Sequence, residues 1–521
     1  MRLDQLVAVA GGARVVGDGS VVVGGLAYDS RRVDSGSLFF CVPGEKVDGH
    51  EFAGAAIEAG AVGLVVERGR ENRLAESGVP LVVVEDARAA MAPIAARFHR
   101  DPSRELGLVG VTGTNGKTTT AFLVREILGA VGRQCGLLGT VKQVVGGVEE
   151  EVERTTPEAI DLQATLRRMA DAGDEACAME VSSHALALHR CDAIEFDVAL
   201  FTNLTQDHLD FHADMEDYFQ AKRLLFDLGP GMAIVNVDDP YGKRLAIDLE
   251  KAMGSRCLTY SSEDNEAHIV ATEIVLEPTG AEFLVTQPLG GLKTSSGAIH
   301  YPPAGVVRTR LPGHFNVSNA LAAFAAAVSM GVEPDAAAAG LEQATPPPGR
   351  LEPIDEGQGF AVLVDYAHTP DSLENVLRAA RGVTEGRVIA VFGAGGDRDR
   401  GKRPLMGRAG VALSDLAVVT SDNPRSEYPD VIVAEVAEGA EGGGAVELEV
   451  DRRAAIALAL GEARPGDTVV IAGKGHEQGQ EFEDGRKLPF DDREVAREEL
   501  RKLAGEGRLL GEWQPPPGES T

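Results

Sequence analysis

The segment GTNGKT, residues 113–118, has the residue types that bind a nucleotide phosphate. Gly113 and Gly116 let backbone amides approach an anion, Lys117 adds a positive charge, and Thr118 offers a hydroxyl suited to Mg²⁺ at a helix start. The usual spacing has a glycine where this chain has Val111, so the loop is a shortened variant. The alternative, a glycine-rich turn without a ligand, is disfavoured because an apolar strand precedes the segment and an apolar helical stripe follows it.

Carboxylate and imidazole side chains follow two other apolar runs. Glu180 ends the run CAME, and Asn203, Asp207, His208 and Asp210 follow the run VALF. Mg²⁺ is bound by a few protein oxygens together with phosphates and water, so these residues suit a metal–phosphate site. A single histidine is more often structural, but a strand end in a chain with a phosphate loop favours a functional role for His208.

Two further features are ambiguous from their residues alone. Lys222 lies in the predicted helix DYFQAKRLLFD, where a surface lysine packing its stem on apolar neighbours is the favoured interpretation. The segment SDNPRSEYP follows the predicted strand DLAVVT, and its Asp, Asn and Pro residues predict a turn. Only the rest of the chain can give Arg425 a further role.

The elements that position these residues are strands alternating with helices. Nearly continuous apolar runs end in Gly, Asn, Asp or Thr: VGLVV, PLVVV, LGLVGVTG, FDVALFTNLT, MAIVNVDD, AVLVDYAH, RVIAVFGAGG, DLAVVTSDNP and DTVVIAGKG. Such runs predict parallel sheets covered on both faces. The fold class is therefore α/β, with functional residues at the carboxyl ends of strands.

Composition excludes several classes of protein. The 521 residues carry a formal net charge of -31, which argues against general binding to nucleic acid or anionic membrane. We find no run of 18 apolar residues and no secretory leader pattern, so we expect no membrane insertion. The five cysteines lack CxxC spacing, which predicts reduced structural thiols in a cytoplasmic protein.

Two polar seams divide the chain. Residues 97–107 precede a new strand, and residues 342–354 carry three prolines after an alanine-rich helix. They predict three domains, residues 1–105, 106–345 and 346–521. Residues 287–307 are predicted to form a loop or hairpin, and the tail from about 508 to 521 is predicted to be flexible.

These pieces, in this order, resemble the Mur ligase family. The matching motifs are EVSSHAL, TNLTQDHLDFH, YFQAKRLLF, PGHFNVSNALAA, PPGRLEPI, VDYAHTPDSLENVL and GAGGDRDRGKRPLM. The resemblance covers about residues 25–495 and is strongest to the members that add the third amino acid of the muramoyl peptide. It implies a uridine-nucleotide domain, a central ATPase domain with a mostly parallel sheet of the phosphate-loop type, and a Rossmann-like C-terminal domain that binds the incoming amino acid.

The resemblance also assigns nucleotide and metal residues. Gly113, Thr114, Asn115, Gly116, Lys117, Thr118 and Thr119 would cradle the ATP phosphates, and Asn319, Arg350 and Asp365 would contact the nucleotide. Thr118, Glu180, His208 and a carbamylated Lys222 would bind two Mg²⁺ ions. Lys117, Glu180, His208 and Lys222 would then be the catalytic residues.

The expected sugar-nucleotide substrate is UDP-MurNAc-L-Ala-D-Glu. The resemblance assigns it Tyr28, Ser30, Glu45, Lys46, Val47, Thr155, Thr156, Ser182 and Arg190. Residues 45–47 depart from the His-Gln-Ala of related enzymes, and Leu188 replaces a glutamine of some relatives. Arg190 has its own rationale, because an anionic substrate on so acidic a protein needs a local cation.

The incoming amino acid is predicted to be meso-diaminopimelate. Its extra amino-carboxylate end needs a cation, and an arginine fork fits a carboxylate. The motif DNPR is associated with diaminopimelate adders, and lysine adders typically lack its arginine. The expected pocket residues are Arg398, Asp422, Asn423, Pro424, Arg425, Gly473 and Glu477.

Other functions were weighed against this one. An L-lysine-adding ligase of the same type is the nearest alternative. A folylpolyglutamate synthase-like ligase and a ligase adding D-Ala-D-Ala are further alternatives, but both would lack DNPR. Loss of Lys117, Glu180, His208 or Lys222 would favour a non-catalytic nucleotide-binding scaffold, and all four residues are present. We expect a cytoplasmic monomer.

Overall fold

The structure is a computed structural model that describes most of the chain. The described residues are 1–44, 47–74, 76–152, 154–263, 266–277, 280–286, 292–294, 297–299, 305–440 and 442–505. They form two compact units. The first consists of Met1–Thr112, Arg133–Ala199 and Ala221–Gly231, and the second of Gly113–Gly132, Leu200–Gln220 and the described residues from Met232 onward.

Helices alternate with strands along most of the described chain. The helices are α1 Leu3–Val7, α2 Ala53–Glu58, α3 Ala87–Phe98, α4 Lys117–Ala130, α5 Ala159–Asp171, α6 Ser183–Ala187, α7 Met215–Asp227, α8 Pro240–Met253, α9 His314–Ser329, α10 Pro334–Gln343, α11 Pro370–Gly382, α12 Lys402–Leu413, α13 Pro429–Ala437, α14 Arg452–Glu462 and α15 Asp492–Gly505. Side-chain caps begin several of them: Asp86 of α3 accepts hydrogen bonds from the backbone N–H groups of Arg88 and Ala89. Of the helices that the structure describes, none has the length and apolar character needed to span a bilayer.

The strands are short and mostly buried. They are β1 Arg14–Val16, β2 Gly25–Ala27, β3 Ser37–Phe40, β4 Gly63–Glu67, β5 Leu81–Val84, β6 Gly107–Thr112, β7 Cys135–Leu138, β8 Gln143–Val145, β9 Val148–Glu150, β10 Ala176–Glu180, β11 Val198–Phe201, β12 Met232–Asn236, β13 Cys257–Ser261, β14 Ile269–Glu277, β15 Gly280–Thr286, β16 Leu292–Thr294, β17 Gly297–Ile299, β18 Val306–Thr309, β19 Glu352–Pro353, β20 Ala361–Asp365, β21 Val388–Phe392, β22 Leu416–Val419, β23 Ala445–Leu448, β24 Thr468–Ala472, β25 Gly479–Glu481 and β26 Lys487–Pro489.

The first unit contains a five-stranded sheet in the order β1-β5-β4-β3-β2. Strands β2 to β5 are parallel, and β1 pairs antiparallel with β5. Leu38 and Phe40 of β3 pack with Met91 on one face, whereas Phe39 packs with Ala56 on the other. Both faces are covered, as the continuous apolar runs predicted.

The first unit also contains β10 between the parallel strands β6 and β7. Strands β8 and β9 continue this group in antiparallel pairs. Glu180, the last residue of β10, pairs in register with Val111 of β6. Glu180 therefore lies beside the carboxyl end of β6.

In the second unit, β12, β13 and β14 are parallel neighbours, and β15 and β18 follow in antiparallel pairs. Helix α4, which starts at Lys117, packs against α9 and α10. The predicted loop or hairpin at residues 287–307 falls largely outside the described residues, but its strands β16 and β17 pair antiparallel. The predicted flexible tail lies outside the described residues.

The second unit ends in a six-stranded sheet in the order β19-β20-β24-β21-β22-β23. All neighbours are parallel except β19 and β20. The carboxyl ends of β20, β21, β22 and β24 meet at one edge, where ligands bind in such sheets. Asp365, Gly393, Thr420 and Gly473 lie at those four ends.

The predicted α/β fold with mostly parallel sheets is confirmed. The apolar run DLAVVT contains β22, and the predicted helix around Lys222 is α7. All five cysteines are buried and free of disulfides. The domain boundaries near residues 105 and 345 stay a prediction.

Candidate functional site

The loop between β6 and α4 requires glycine at two positions. Gly113 has φ of 149° and Gly116 has φ of 85°, conformations that favour glycine. A Cβ on Gly113 would lie 1.8 Å from Oγ1 of Thr202, and a Cβ on Gly116 would lie 2.3 Å from Oδ1 of Asn319. The glycines therefore allow the close approach that the sequence pattern predicted.

Residues after β11 hold the loop by hydrogen bonds. The Thr114 N–H donates to the Asn203 carbonyl (2.8 Å), and the Asn115 N–H donates to Oδ1 of Asn203 (2.9 Å). The Thr202 hydroxyl donates to the Asn115 carbonyl at 2.6 Å, and the Thr205 N–H donates to Oγ1 of Thr114 at 3.0 Å. The residues after β11 thus hold the loop through both its backbone groups and a side-chain hydroxyl.

The Lys117 ammonium folds back over this loop. Its Nζ donates to the carbonyls of Gly113 (2.9 Å) and Thr114 (2.8 Å). Thr119 is buried in the first turn of α4. The positive charge therefore lies over the loop, where an anion held by loop amides would meet it.

Two of the predicted nucleotide residues, Arg350 and Asp365, are linked through the chain between them. The Arg350 Nη2 donates to Oγ1 of Thr118 at 3.1 Å, and its guanidinium lies 4.7 Å from the ring centroid of Tyr366. Asp365 accepts from the Leu351 N–H at 2.7 Å. Burial raises the pKa of Asp365, although Arg350 and two backbone N–H groups oppose it. Asp365 thus fixes the segment that presents Arg350.

Asn319 and an unpredicted residue, Asp371, contact the other end of the loop. Asn319 is buried in α9, and its Nδ2 donates to Oδ1 of Asn316 at 3.1 Å. The Asn115 Nδ2 donates to Oδ2 of Asp371 at 2.7 Å. Burial raises the pKa of the Asp371 carboxyl. Asp371 therefore brings the start of α11 to the phosphate loop.

His208 is one of three side chains whose nitrogen atoms lie near the Asp207 carboxylate. The His208 Nε2 is 3.4 Å, the Lys402 Nζ 3.6 Å and the His368 Nε2 4.0 Å from the Asp207 carboxylate oxygens. Burial raises the pKa of Asp207, but these three groups outweigh it and hold that pKa well below its usual range. Lys402 and His368 were not predicted.

In the first unit, Glu180 lies in a hydrogen-bonded group with three of the predicted substrate residues. Glu180 is 1% exposed, and its Oε1 accepts from the Thr140 N–H at 2.7 Å. The Thr140 hydroxyl donates to Oε2 at 3.1 Å and lies 3.0 Å from the Thr155 hydroxyl. The Thr156 hydroxyl donates to the Glu180 carbonyl at 2.9 Å and accepts from the Ser182 N–H at 3.2 Å.

Arg190 joins this group and belongs to a cluster of arginines around one carboxylate. Its Nη1 donates to the Thr156 carbonyl at 3.0 Å, and its Nη2 lies 2.8 Å from Oε1 of Glu158. Arg154 and Arg88 also pair with Glu158, at 3.0 and 3.4 Å. The Arg190 Nε is buried without a hydrogen-bond partner among the described residues. Three guanidinium groups on one carboxylate leave a net positive charge.

Tyr28 is fixed by a residue far along the chain. Its hydroxyl donates to Oδ2 of Asp161 at 2.6 Å, and Arg32 donates to Oδ1 of the same carboxylate at 2.9 Å. Burial and then Asp161 raise the pKa of Tyr28 above its usual value. Ser30 is half-buried and begins the short 3-10 helix Ser30–Arg32.

Of the predicted residues 45–47, only Val47 belongs to the part of the chain that the structure describes. Glu45 and Lys46 lie outside the described residues. Val47 is half exposed, and its carbonyl accepts from the Gly44 N–H at 2.9 Å. Their predicted role with the uridine nucleotide stays a prediction.

Lys222 is buried in α7, with 1% of its surface exposed. The interpretation of Lys222 as a surface lysine, which its residues alone favoured, is therefore wrong. Within the described part of the chain, no three His, Cys, Asp or Glu side chains gather as a metal site. The metal roles of Glu180, His208 and Lys222 stay a prediction.

The predicted turn after β22 is present and is clamped by β25. Arg425 has φ of 52°, and its N–H donates to the Glu481 carbonyl at 3.1 Å. Its Nε donates to Oε2 of Glu481 at 2.9 Å, and its Nη1 donates to the Gly396 carbonyl at 2.8 Å. The Pro424 carbonyl packs against Gly396, where a Cβ would lie 1.9 Å from it. The turn thus aims a guanidinium at the glycine-rich segment after β21.

Lys474 organises the other residues of this predicted pocket. It is fully buried, and its Nζ donates to Oδ1 of Asn423 at 2.8 Å and to Oε2 of Glu477 at 2.9 Å. Asp422 lies 3.6 Å from the same ammonium. Burial raises the pKa of Asp422, but Lys474 and further cations lower it overall. Gly473 has φ of 124°, and a Cβ there would lie 2.7 Å from Oδ2 of Asp422.

Arg398 lies beside Arg425 at Gly395. A Cβ on Gly395 would lie 3.0 Å from Nη1 of Arg425 and 3.8 Å from Cγ of Arg398. Arg398 is half exposed, and its Nη1 lies 3.8 Å from Oδ2 of Asp210. The structure therefore brings together all seven residues predicted for the amino acid, at the carboxyl edge of the last sheet.

Sequence reasoning missed several partners of these residues. Asp161 and Glu158 lie in or beside α5, and nothing in their local pattern marks them. Lys402 stands in the quoted motif GAGGDRDRGKRPLM, and Lys474 stands in the quoted run DTVVIAGKG. Both segments were recognised, but no role was predicted for the two lysines. Glu481 has no sequence signal beyond its distance of four residues from Glu477.

Comparisons with known proteins show which family the chain matches. Three family models match: "Mur ligase family, catalytic domain" over residues 22–99, "Mur ligase middle domain" over 111–327 and "Mur ligase, glutamate ligase domain" over 349–475. The chain is 46% identical over 495 residues to the UDP-N-acetylmuramoyl-L-alanyl-D-glutamate–2,6-diaminopimelate ligase of Streptomyces coelicolor, covering 94% of each chain. It is 45% identical to the ligase of the same name from Gloeobacter violaceus, covering 97% of this chain and 99% of that one. A solved structure with that ligase name matches with a TM-score of 0.65 and 31% identity, covering 97% of this chain and 99% of the other.

Proposed function

Because this chain belongs to the Mur ligase family, we propose that it is an ATP-dependent ligase that adds meso-diaminopimelate to UDP-MurNAc-L-Ala-D-Glu. The new amide joins an amine of diaminopimelate to the side-chain carboxylate of D-Glu. The observation that carries this proposal is the turn of Asp422, Asn423, Pro424 and Arg425, which sets an arginine at the carboxyl edge of the last sheet. Relatives named for this reaction support it over nearly the whole chain.

The proposed reaction has two steps. The γ-phosphate of ATP is transferred to the D-Glu carboxylate, giving an acyl phosphate and ADP. The amine of diaminopimelate then attacks the acyl carbon, and phosphate leaves as the amide forms. Two anions meet in the first step, so positioning and charge compensation supply most of the catalysis.

The phosphate loop supplies the first part of that compensation. Lys117 already donates to the carbonyls of Gly113 and Thr114. In the proposal its ammonium moves from these carbonyls to a phosphate oxygen of ATP. Arg350, which donates to Thr118, adds a second cation on the same side of the loop.

The side chains proposed for metal binding have suitable chemistry. The Glu180 carboxylate and the Thr118 hydroxyl are hard oxygen ligands of the kind that Mg²⁺ prefers, and His208 adds a nitrogen. An N–H and an O–H of Thr140 both donate to the Glu180 carboxylate and fix its orientation. When bound, Mg²⁺ would neutralise phosphate charge.

Lys222 is proposed to carry a carbamate that supports a second Mg²⁺. Its side chain is 1% exposed. The neutral amine is the form of a lysine that adds CO₂. Carbamylation would give this buried side chain a carboxylate able to act as a metal ligand.

The muramoyl peptide is proposed to bind at the group around Glu180 and Arg190. Thr155, Thr156 and Ser182 offer hydroxyl and backbone groups within that group. Arg190 donates to the Thr156 carbonyl, so its guanidinium adds a positive charge beside these groups, which suits a substrate anion.

Diaminopimelate is favoured over lysine because the pocket contains two arginines. Arg425 and Arg398 both approach Gly395, where a second carboxylate would be gripped. Lysine lacks that carboxylate and would leave both guanidinium groups without it. In this proposal the chain acts in the cytoplasm, where ATP is available, and it acts as a monomer.

The test is phosphate release from ATP with UDP-MurNAc-L-Ala-D-Glu and either meso-diaminopimelate or L-lysine. We expect release that depends on both the nucleotide substrate and diaminopimelate, with lysine much slower. Equal rates, or faster release with lysine, would refute the choice of amino acid. Release that instead needs a folate and glutamate would favour the folylpolyglutamate alternative, and no release with any pair would favour a scaffold.

A further inference from the structure

The guanidinium of Arg425 already has a carboxylate ligand from its own chain. Oε2 of Glu481 accepts from its Nε at 2.9 Å. Nε and Nη2 form the side-on fork with which arginine grips a carboxylate. The fork that diaminopimelate would use on this side therefore already carries one carboxylate oxygen.

The second acceptor on Arg425 is fixed. Its Nη1 donates to the Gly396 carbonyl at 2.8 Å. Gly396 is packed so closely against Pro424 that a Cβ would lie 1.9 Å from the Pro424 carbonyl oxygen. A backbone carbonyl in such a contact cannot leave without moving the loop, so it anchors the guanidinium.

The Glu481 carboxylate, in contrast, can leave without disturbing the turn. Its side chain is 41% exposed. The backbone of Glu481 holds the turn independently: its N–H donates to Oδ1 of Asn423 at 2.9 Å, and its carbonyl accepts from the Arg425 N–H at 3.1 Å. Rotation of one side chain would free Nε while these backbone bonds remain.

We infer that Glu481 is a specificity-determining residue that competes with the second carboxylate of the substrate for Arg425. The inference rests on the proposed function, in which that carboxylate binds Arg425. The second carboxylate of diaminopimelate can replace the Glu481 carboxylate on the Arg425 guanidinium. An amino acid without a second carboxylate leaves the Arg425–Glu481 pair intact and gains nothing there.

The test compares Glu481→Gln and Glu481→Ala with the parent chain in the phosphate-release assay. Both variants should lower the KM for diaminopimelate, with Glu481→Ala lower than Glu481→Gln because glutamine keeps a neutral acceptor. The pair is partly exposed, so we expect a change of about two- to fivefold. The KM for ATP should not change. Glu483→Gln is the matched control, since Glu483 is exposed, lies two residues away and carries the same charge.

The outcomes separate the inference from the function on which it rests. An unchanged or raised KM for diaminopimelate in both Glu481 variants, with normal turnover in the parent chain, overturns the inference alone. A raised KM would make Glu481 a residue that positions Arg425. Equal effects in Glu483→Gln would assign the change to net charge and also overturn it. A parent chain without diaminopimelate-dependent turnover overturns the proposed function and the inference together.

Discussion

Replacing Lys474 with methionine should destabilise the last sheet far more than an exposed lysine of the same kind does. Lys474 is fully buried and donates to Glu477, three residues later, at 2.9 Å. Lys502 makes the same type of pair with Glu499, three residues earlier, at 2.7 Å, but is 60% exposed. Lys502→Met is therefore a control matched in residue type and spacing.

The expected magnitudes follow from burial. Removing one member of a buried charge pair costs about 3–5 kcal/mol, because the remaining charge is left in a poor solvent. Glu477 is partly exposed, so we take the lower end, about 3 kcal/mol, for Lys474→Met. An exposed pair contributes about 1 kcal/mol or less, which sets the limit for Lys502→Met.

The effect of Lys474→Met should also depend on pH. Lys474 is the main group that lowers the pKa of Asp422 below 3.8 against burial. A carboxyl with a depressed pKa contributes stability that is present above its unfolded pKa and is lost as the pH falls through the folded pKa. The difference between the parent chain and Lys474→Met should therefore be full at neutral pH and shrink below about pH 4.

Amide hydrogen exchange of the β24 peptide measures the effect locally. A loss of about 3 kcal/mol speeds exchange through opening about 150-fold, whereas Lys502→Met should speed it about fivefold or less. Equal acceleration in the two variants, or less than fivefold in Lys474→Met, would refute the reasoning from burial.

Three further outcomes are expected. Arg425→Ala should raise the KM for diaminopimelate about ten- to a hundredfold, as lost charge-assisted bonds predict, and leave the KM for ATP unchanged; equal effects on both would reject the assigned role. Lys222→Ala should abolish phosphate release in a way that added bicarbonate does not restore, and near-normal turnover would remove the carbamate from the mechanism. Glu427, paired with Arg403 at 2.6 Å, has its pKa lowered from 4.5 to about 2, mainly by that arginine. Its contribution to stability should be present above pH 4.5 and lost between pH 4.5 and 2, a loss that Glu427→Gln should lack in urea unfolding followed by circular dichroism.

Local patterns predicted the backbone of the site well. The loop of Gly113 and Gly116 and the turn before Arg425 each follow a short apolar strand, and both were placed correctly because strand ends and turn residues are local signals. The family resemblance added the residues that no local pattern marks, such as Arg398 and Gly473.

The polar partners of these residues could not be predicted in the same way. Asp161 is 133 residues from Tyr28, and Glu481 is 56 residues from Arg425. Such pairs depend on which strands become neighbours. Strand β24 lies between β20 and β21, although it comes last in the chain among the strands of its sheet. The burial of Lys222 could not be predicted for a related reason. An amphipathic pattern predicts the helix but does not decide how deeply each of its faces is buried.

The left-handed backbone at Arg425 affects how readily mutation can change the amino acid that the enzyme selects. A residue other than glycine in that conformation costs about 1 kcal/mol, and asparagine or glycine tolerates it best. Replacement of Arg425 by either residue would therefore relax the backbone at the same time as it removed the guanidinium. The backbone bonds between this turn and Glu481 do not depend on the Arg425 side chain, which makes the position a favourable starting point for divergence toward other amino acids.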